Sequence, residues 1–308
     1  MLRSFAMRPG SAGTLSRAVL LPMLALILVF LPSLSSAADP IRVPRYDDAD
    51  EYLPTAQKKN KDNIRLLLQQ QPGEVLFKVS TPRNVTVDVI ANVPADADTA
   101  VILLLGGTSV LSIVNDRLDR SFSFQPRSRD HWWANKFATF LVDAPSDRLG
   151  KDGIQDQQWR AGAEHKADLK AVLEAIAQRF PGPFVIQGHS NGAISLASVA
   201  SLNHPRVKAY AYSGAAHYKS DTSILREVEH IAPVLVVEHR KDSCVVSPAS
   251  QAEAFTRSLK ASAKQLLWIE GGSDPLSGAC GPFAAHSFFG VEKLAVDTLA
   301  VELRKIMR

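Results

Sequence analysis

Residues Gly188-His189-Ser190-Asn191-Gly192 stand between an apolar run, Phe184-Val185-Ile186, and a small-residue-rich segment from Ala193 to Ala200. A five-residue pattern with two free positions also arises by accident in loops. Its surroundings give this one weight, because a buried strand precedes it and a helix follows. To pass from one to the other the chain must turn sharply, which lifts Ser190 into an exposed, strained position. Gly188 and Gly192 leave room where the strand and helix backbones crowd each other.

The rest of the chain supplies partners for such a strand. Val75–Val79 and Val85–Ile90 alternate with period two around Pro82-Arg83-Asn84, which predicts an antiparallel hairpin. Ala100–Leu105 and Phe137–Val142 are continuous apolar runs, expected of strands buried on both faces. A helix of about twenty residues follows, aligning Leu169, Val172, Leu173, Ile176 and Phe180 on one face at the helical period. Further strands are predicted at Val207–Tyr212, Pro233–Val237 and Leu266–Ile269, and a last helix at Val291–Met307. A hairpin followed by alternating strands and helices implies an α/β architecture. Its sheet is mostly parallel, with an antiparallel start and helices on both faces. Residues 74–308 show no composition break and no internal repeat, so they read as one domain.

The first 37 residues stand apart. Arg3, Arg8 and Arg17 precede an apolar stretch, Ala18–Leu34, and then Ser35-Ser36-Ala37-Ala38, which predicts a signal peptide cleaved near Ala38. An uncleaved anchor is the alternative, disfavoured by the short stretch and by Pro22 and Pro32. Residues 38–73 carry an acidic cluster followed by a basic one and read as an irregular strap, with room for a short helix over Thr55–Leu68. The protein is therefore expected to be exported, to the periplasm or outside the cell, with no stable membrane association after cleavage. The leader holds three of the 35 basic side chains and none of the 31 acidic ones, so the mature chain is close to neutral. That balance gives no electrostatic case for nucleic acid or an anionic membrane. The two cysteines, Cys244 and Cys280, fall in the exported portion, where one disulfide is their simplest fate. No H-E-x-x-H pattern and no zinc-type cysteine spacing occur, so no metal site is expected.

A serine hydroxyl needs an adjacent base, and the base needs a third group to orient it. In α/β sheets such groups collect at the carboxyl ends of strands. Downstream of Ser190, Asp242 lies in the loop after Pro233–Val237, at the end of Glu238-His239-Arg240-Lys241-Asp242, and is the predicted acid. Glu238, Glu270 and Asp274 compete less well, the first because it belongs to the strand. His286 lies between the last strand and the last helix and is the predicted base; His217, also after a strand, is its competitor or a pocket residue. His189 sits inside the turn, where its ring points away from the neighbouring hydroxyl. For a developing oxyanion, one donor is the Asn191 N–H and the second is the N–H of Thr108 or of Gly107, in the Gly106-Gly107-Thr108 loop.

These elements together resemble the α/β-hydrolase superfamily over roughly residues 74–308. More narrowly, Val142-Asp143-Ala144-Pro145-Ser146-Asp147 and the stretch from His286 to Glu292 look like a group of exported bacterial α/β hydrolases. The resemblance implies hydrolysis of a small-molecule ester or related acyl bond, without metal or cofactor. The Gly106-Gly107 loop departs from many esterases in lacking a preceding His. A serine peptidase or amidase would share the same triad, and a non-catalytic binding protein on this scaffold is a third reading.

Only about nineteen residues, Gly214–Ala232, separate the strand after Ser190 from the next. One helix fits there, not a cap domain. In the other long connection, Ser109–Lys136, the aromatics Phe122, Phe124, Trp132 and Trp133 are expected to pack rather than to wall a site.

Overall fold

A computed structural model describes residues 73–118, 122–218 and 223–308. The predicted signal peptide, nearly all of the expected strap and its candidate helix fall outside these residues. Eight strands form one sheet: β1 (Val75–Ser80), β2 (Thr86–Asn92), β3 (Thr99–Leu104), β4 (Phe137–Pro145), β5 (Phe184–His189), β6 (Val207–Ser213), β7 (Val234–His239) and β8 (Lys264–Ile269). Their order across the sheet is β1-β2-β4-β3-β5-β6-β7-β8. β2 pairs antiparallel with β1 and with β4, and every remaining pair is parallel. The hairpin turns at Asn84, whose φ is +58°, a conformation that asparagine tolerates better than most residues.

The continuous apolar runs have the predicted cause. Along β3 every residue is buried, and alternate side chains serve opposite faces. Ala100, Ile102 and Leu104 join a core with Phe140, Ile186 and Ile194, whereas Val101 and Leu103 join another with Trp132, Val237 and Leu299. The helices over the first face are α2 (Gln157–Ala161), α3 (Ala163–Arg179) and α4 (Gly192–Ala200). Over the second lie α1 (Phe124–Ala134) and α7 (Glu292–Ile306), which pack against each other. α5 (Ser223–Glu227) and α6 (Ala252–Ser258) complete the set described.

Three expectations needed adjustment. The helix predicted at about twenty residues is α3, of 17 residues, and Gly162, whose backbone is extended, parts it from the short α2. β4 runs on to Pro145 and β7 to His239. The polar residues at their ends ended the apolar pattern, but Glu238 and His239 still pair with Trp268 and Ile269 of β8. Third, α1 occupies the aromatic connection. Phe124 and Trp132 enter the core as expected, but Phe122 packs on Phe283 and lines the cleft described below.

Between Gly214 and Ala232 the described residues hold only α5 and a two-residue strand, Glu229–His230. Among the described residues no cap domain covers the carboxyl edge of the sheet there. At that edge the loops after β3, β5, β7 and β8 converge.

Candidate active site

Ser190 follows the last residue of β5 and precedes α4, at φ +52°. A non-glycine residue in this region costs of order 1–3 kcal/mol and persists only where its surroundings over-determine it. Here they do. The Ser190 N–H donates to Ser213 O (3.0 Å), and its carbonyl accepts from Ala193 and Ala216. The flanking glycines are demanded by close approach. A Cβ on Gly192 would sit 2.0 Å from Leu104 O, and one on Gly188 would sit 2.5 Å from Gly192 O. Gly106 is equally constrained, because its Cβ would come within 2.7 Å of Ser190 Cβ. The loop after β3 is thereby pressed against the serine.

Asp242 and His286 meet. The His286 Nδ1–H donates to Asp242 Oδ2 at 2.9 Å, with both side chains buried. Oδ1 of Asp242 accepts from the Cys244 N–H (2.8 Å). Burial alone would raise the Asp242 pKa, but the hydrogen bond and charge of His286 outweigh it and hold the carboxyl below its usual range. Ser247, which the sequence reading missed, completes this junction. Its hydroxyl donates to Asp242 Oδ2 (2.9 Å) and lies 2.9 Å from His286 Nδ1. The far nitrogen of His286, Nε2, is buried and bonded to nothing among the described residues. Ser190 and His286 line one cleft of about 470 Å³ without a hydrogen bond between them.

Other predicted residues fall as follows. Gly107 and Thr108 line the same cleft. Asn191 caps α4, and its side-chain oxygen accepts from Gln157 (3.0 Å). The backbone N–H groups of Thr108 and Asn191 have no acceptor among the described residues. Cys244 and Cys280 form a disulfide, with Cα atoms 4.6 Å apart. Asp242, Cys244 and His286 also bring three metal-binding atom types within 4.8 Å. The sulfur is committed to the disulfide, however, so it offers no thiolate.

Among the rejected histidines, His189 packs between Phe124 and His286 (ring centroids 5.4 and 5.1 Å). Its Nδ1–H donates to Ser213 O (3.0 Å), and it lines the cleft. Burial first, then the neighbouring His286 charge, push its pKa far down, so it is neutral. His217 stacks on Phe255 and does not line the cleft, contrary to its alternative role. His165 lies 2.9 Å from Ser195, but both are sealed in the interior. Glu238 is buried in β7; burial, then the charge of Asp242, raise its pKa far above the usual range.

The loop that carries His286 is tied down from outside. Arg127 of α1 donates to Pro282 O (2.6 Å), Ser287 O (3.0 Å) and Glu292 Oε1 (2.7 Å). This gives a physical role to the glutamate that closes the His286–Glu292 stretch.

No protein-family model and no curated protein matches the sequence. Solved structures do. An esterase from Pyrococcus furiosus superposes at a TM-score of 0.55 with 13% identity, covering 79% of this chain and 93% of its own. A dienelactone hydrolase from Anabaena variabilis gives 0.51 with 19% identity, covering 78% and 100%. A lidless α/β serine hydrolase from Xanthomonas campestris gives 0.50 with 15% identity, covering 77% and 94%. The sheet order, the turn after β5 and these superpositions together define an α/β-hydrolase fold.

Proposed function

We propose that this chain is a serine hydrolase that cleaves a carboxylic ester or related acyl bond through an acyl-enzyme on Ser190. The observation that carries the proposal is the 2.9 Å contact between Asp242 and His286, which leaves Nε2 unpartnered among the described residues at the cleft that the strained Ser190 also lines. Asp242 fixes the tautomer with the proton on Nδ1, so Nε2 is left with a free lone pair. Hydrogen bonds to such a base tighten when substrate is bound.

The Ser190 Oγ attacks the acyl carbon while its proton passes to His286 Nε2. The tetrahedral oxyanion is held by the N–H of Asn191 and the N–H of Thr108, with Gly107 the alternative second donor. As the intermediate collapses, His286 gives its proton to the leaving alkoxide, which departs as the alcohol. Water then attacks the acyl-enzyme, losing a proton to His286, and the carboxylic acid is released as Ser190 regains its own. Nothing in this sequence calls on a metal or a cofactor. The esterase, dienelactone hydrolase and lidless serine hydrolase of the same fold support the assignment. A cleft of about 470 Å³ without a cap suits a small or extended acyl substrate.

Export to an oxidising compartment is part of the same proposal. The disulfide fits it, and among the described residues no helix is long and apolar enough to cross a membrane. Mass spectrometry of the protein recovered from the periplasm or medium should give a mature N-terminus near Ala38.

A fluorophosphonate probe tests the chemistry directly. Labelling of the wild type and not of Ser190→Ala supports the hydrolase, whereas an unlabelled wild type points to a binding protein. Parallel panels of p-nitrophenyl esters and p-nitroanilides separate an esterase from an amidase or peptidase.

A further inference from the structure

Arg160, in α2, is wholly buried, and no carboxylate pairs with it among the described residues. Burial pushes its pKa down to about 9, which still leaves it charged at neutral pH. A buried cation without a counter-ion costs several kcal/mol unless its donors are satisfied. All five N–H groups of this guanidinium have acceptors. Nε donates to Ile154 O (2.6 Å). One terminal nitrogen donates to Leu105 O (3.3 Å) and Ser195 Oγ (2.7 Å), the other to Gly107 O (2.8 Å) and Ser109 Oγ (2.9 Å).

The placement of these acceptors is what matters. Leu105, Gly107 and Ser109 belong to the loop after β3. Ser195 belongs to α4, one turn beyond Asn191 on the same helix face. One rigid, planar group thus fastens together the two elements that carry the proposed oxyanion donors. It also aims one of them. A trans peptide sets its C=O and the following N–H in opposite directions. With Gly107 O held on the buried guanidinium, the Thr108 N–H is directed away from the interior, toward the cleft that Thr108 lines. Thr108 O is pinned as well, accepting from the Ile154 N–H at 2.9 Å. A cation on the carbonyl oxygen also draws electron density across the peptide and strengthens the N–H as a donor.

We propose that Arg160 is a positioning residue of the oxyanion hole, which sets and polarises the Thr108 N–H. This rests on the hydrolase reading above. The arrangement distinguishes Thr108 from Gly107 as the second donor.

The test uses Arg160→Lys, which keeps a charge but loses the fork, and Arg160→Met, which removes both. Ser195→Ala cuts the link to α4, together with the Ser195–His165 contact, and is the variant to rely on if the Arg160 variants fail to fold. Each is characterised by melting temperature, by kcat and KM on a p-nitrophenyl ester, and by affinity for an alkyl trifluoromethyl ketone. That ketone forms a tetrahedral oxyanion adduct on the serine; the fluorine-free ketone is the ground-state control.

Weakening one oxyanion donor should lower kcat by roughly 10- to 100-fold, below the full loss of a donor. KM should stay nearly constant, and trifluoromethyl ketone affinity should fall in proportion to kcat. Binding of the fluorine-free ketone should not change, and Ser195→Ala should show the same split to a smaller degree. Folded variants that lose melting temperature but keep kcat and trifluoromethyl ketone affinity would make Arg160 a structural residue only. A wild type that neither reacts with fluorophosphonate nor turns over any ester would instead remove the hydrolase reading itself.

Discussion

Cys244 lies two residues after Asp242, and its disulfide partner Cys280 lies six before His286, so the bridge fastens the acid loop to the base loop. In the proposed mechanism Asp242 has to hold His286 in one tautomer and one orientation, and two linked loops drift less than two free ones. The bridge spans 36 residues, a closure that constrains the unfolded chain by about 3–4 kcal/mol in the entropy account. Reduction, or Cys244→Ser with Cys280→Ser, should therefore lower the melting temperature by on the order of 10 °C. Turnover at a temperature where both forms are folded should fall too. Calorimetry beside ester kinetics checks both effects. An unchanged kcat in the folded double variant would limit the bridge to a stabilising role.

Ser190→Ala should reduce ester turnover by several orders of magnitude and leave the melting temperature close to that of the wild type. It removes one hydroxyl and keeps the backbone that holds the turn. His286→Ala should do nearly as much. Because groups of this kind act as a unit, the double variant should be little worse than either single one. Multiplicative losses in the double variant would mean that the two side chains work independently, and the mechanism proposed here would be wrong.

What the sequence made legible follows a physical pattern. The candidates Ser190 and Asp242 were accessible because each sits just past the end of a strand whose apolar run announces it, and His286 because it falls between the last strand and the last helix. Chain order then narrowed the candidates. Arg160 and Ser247 were not accessible, for a different reason. Arg160 acts chiefly on backbone carbonyls, which carry no side-chain signature, and an arginine in a short polar helix reads as a solvated residue. Ser247 becomes meaningful only once the loop after β7 folds back to place it 2.9 Å from both Asp242 and His286. The short helix α2 was not legible because its five residues, Gln157–Ala161, carry no apolar period. Cross-strand pairing carries β7 past Glu238, already read as belonging to the strand, to His239, whose polarity hid it.

Ser247→Ala should slow turnover by about tenfold, the scale of one hydrogen bond to a charged group. The hydroxyl donates to Asp242 Oδ2, the oxygen that also receives the His286 Nδ1–H. Without it the carboxylate and the imidazole lose a shared anchor, while the cleft that binds substrate is untouched. The loss should therefore appear in kcat and not in KM, and Ser247→Thr should restore part of it. A variant altered only in KM would place Ser247 in substrate binding instead.

Glu238 gives the most direct prediction for pH. It is buried, and burial together with the neighbouring Asp242 charge raises its pKa far above that of a free glutamate. The folded protein therefore keeps a proton on Glu238 at pH values where the unfolded chain has already lost it. Its contribution to stability is complete below the unfolded pKa of about 4.3 and is lost as pH rises toward the folded value. Across that window the loss amounts to about 1.4 kcal/mol per pH unit, because the native state holds one more proton than the unfolded state. Glu238→Gln has nearly the same shape and cannot ionise, so it removes this slope. Urea denaturation of both proteins at pH 5, 6 and 7 should show the variant gaining on the wild type as the pH rises. A difference that stays constant across the three pH values would mean that Glu238 is ionised in the folded protein, beside an ionised Asp242. In that case the proton expected on Glu238 would not be there.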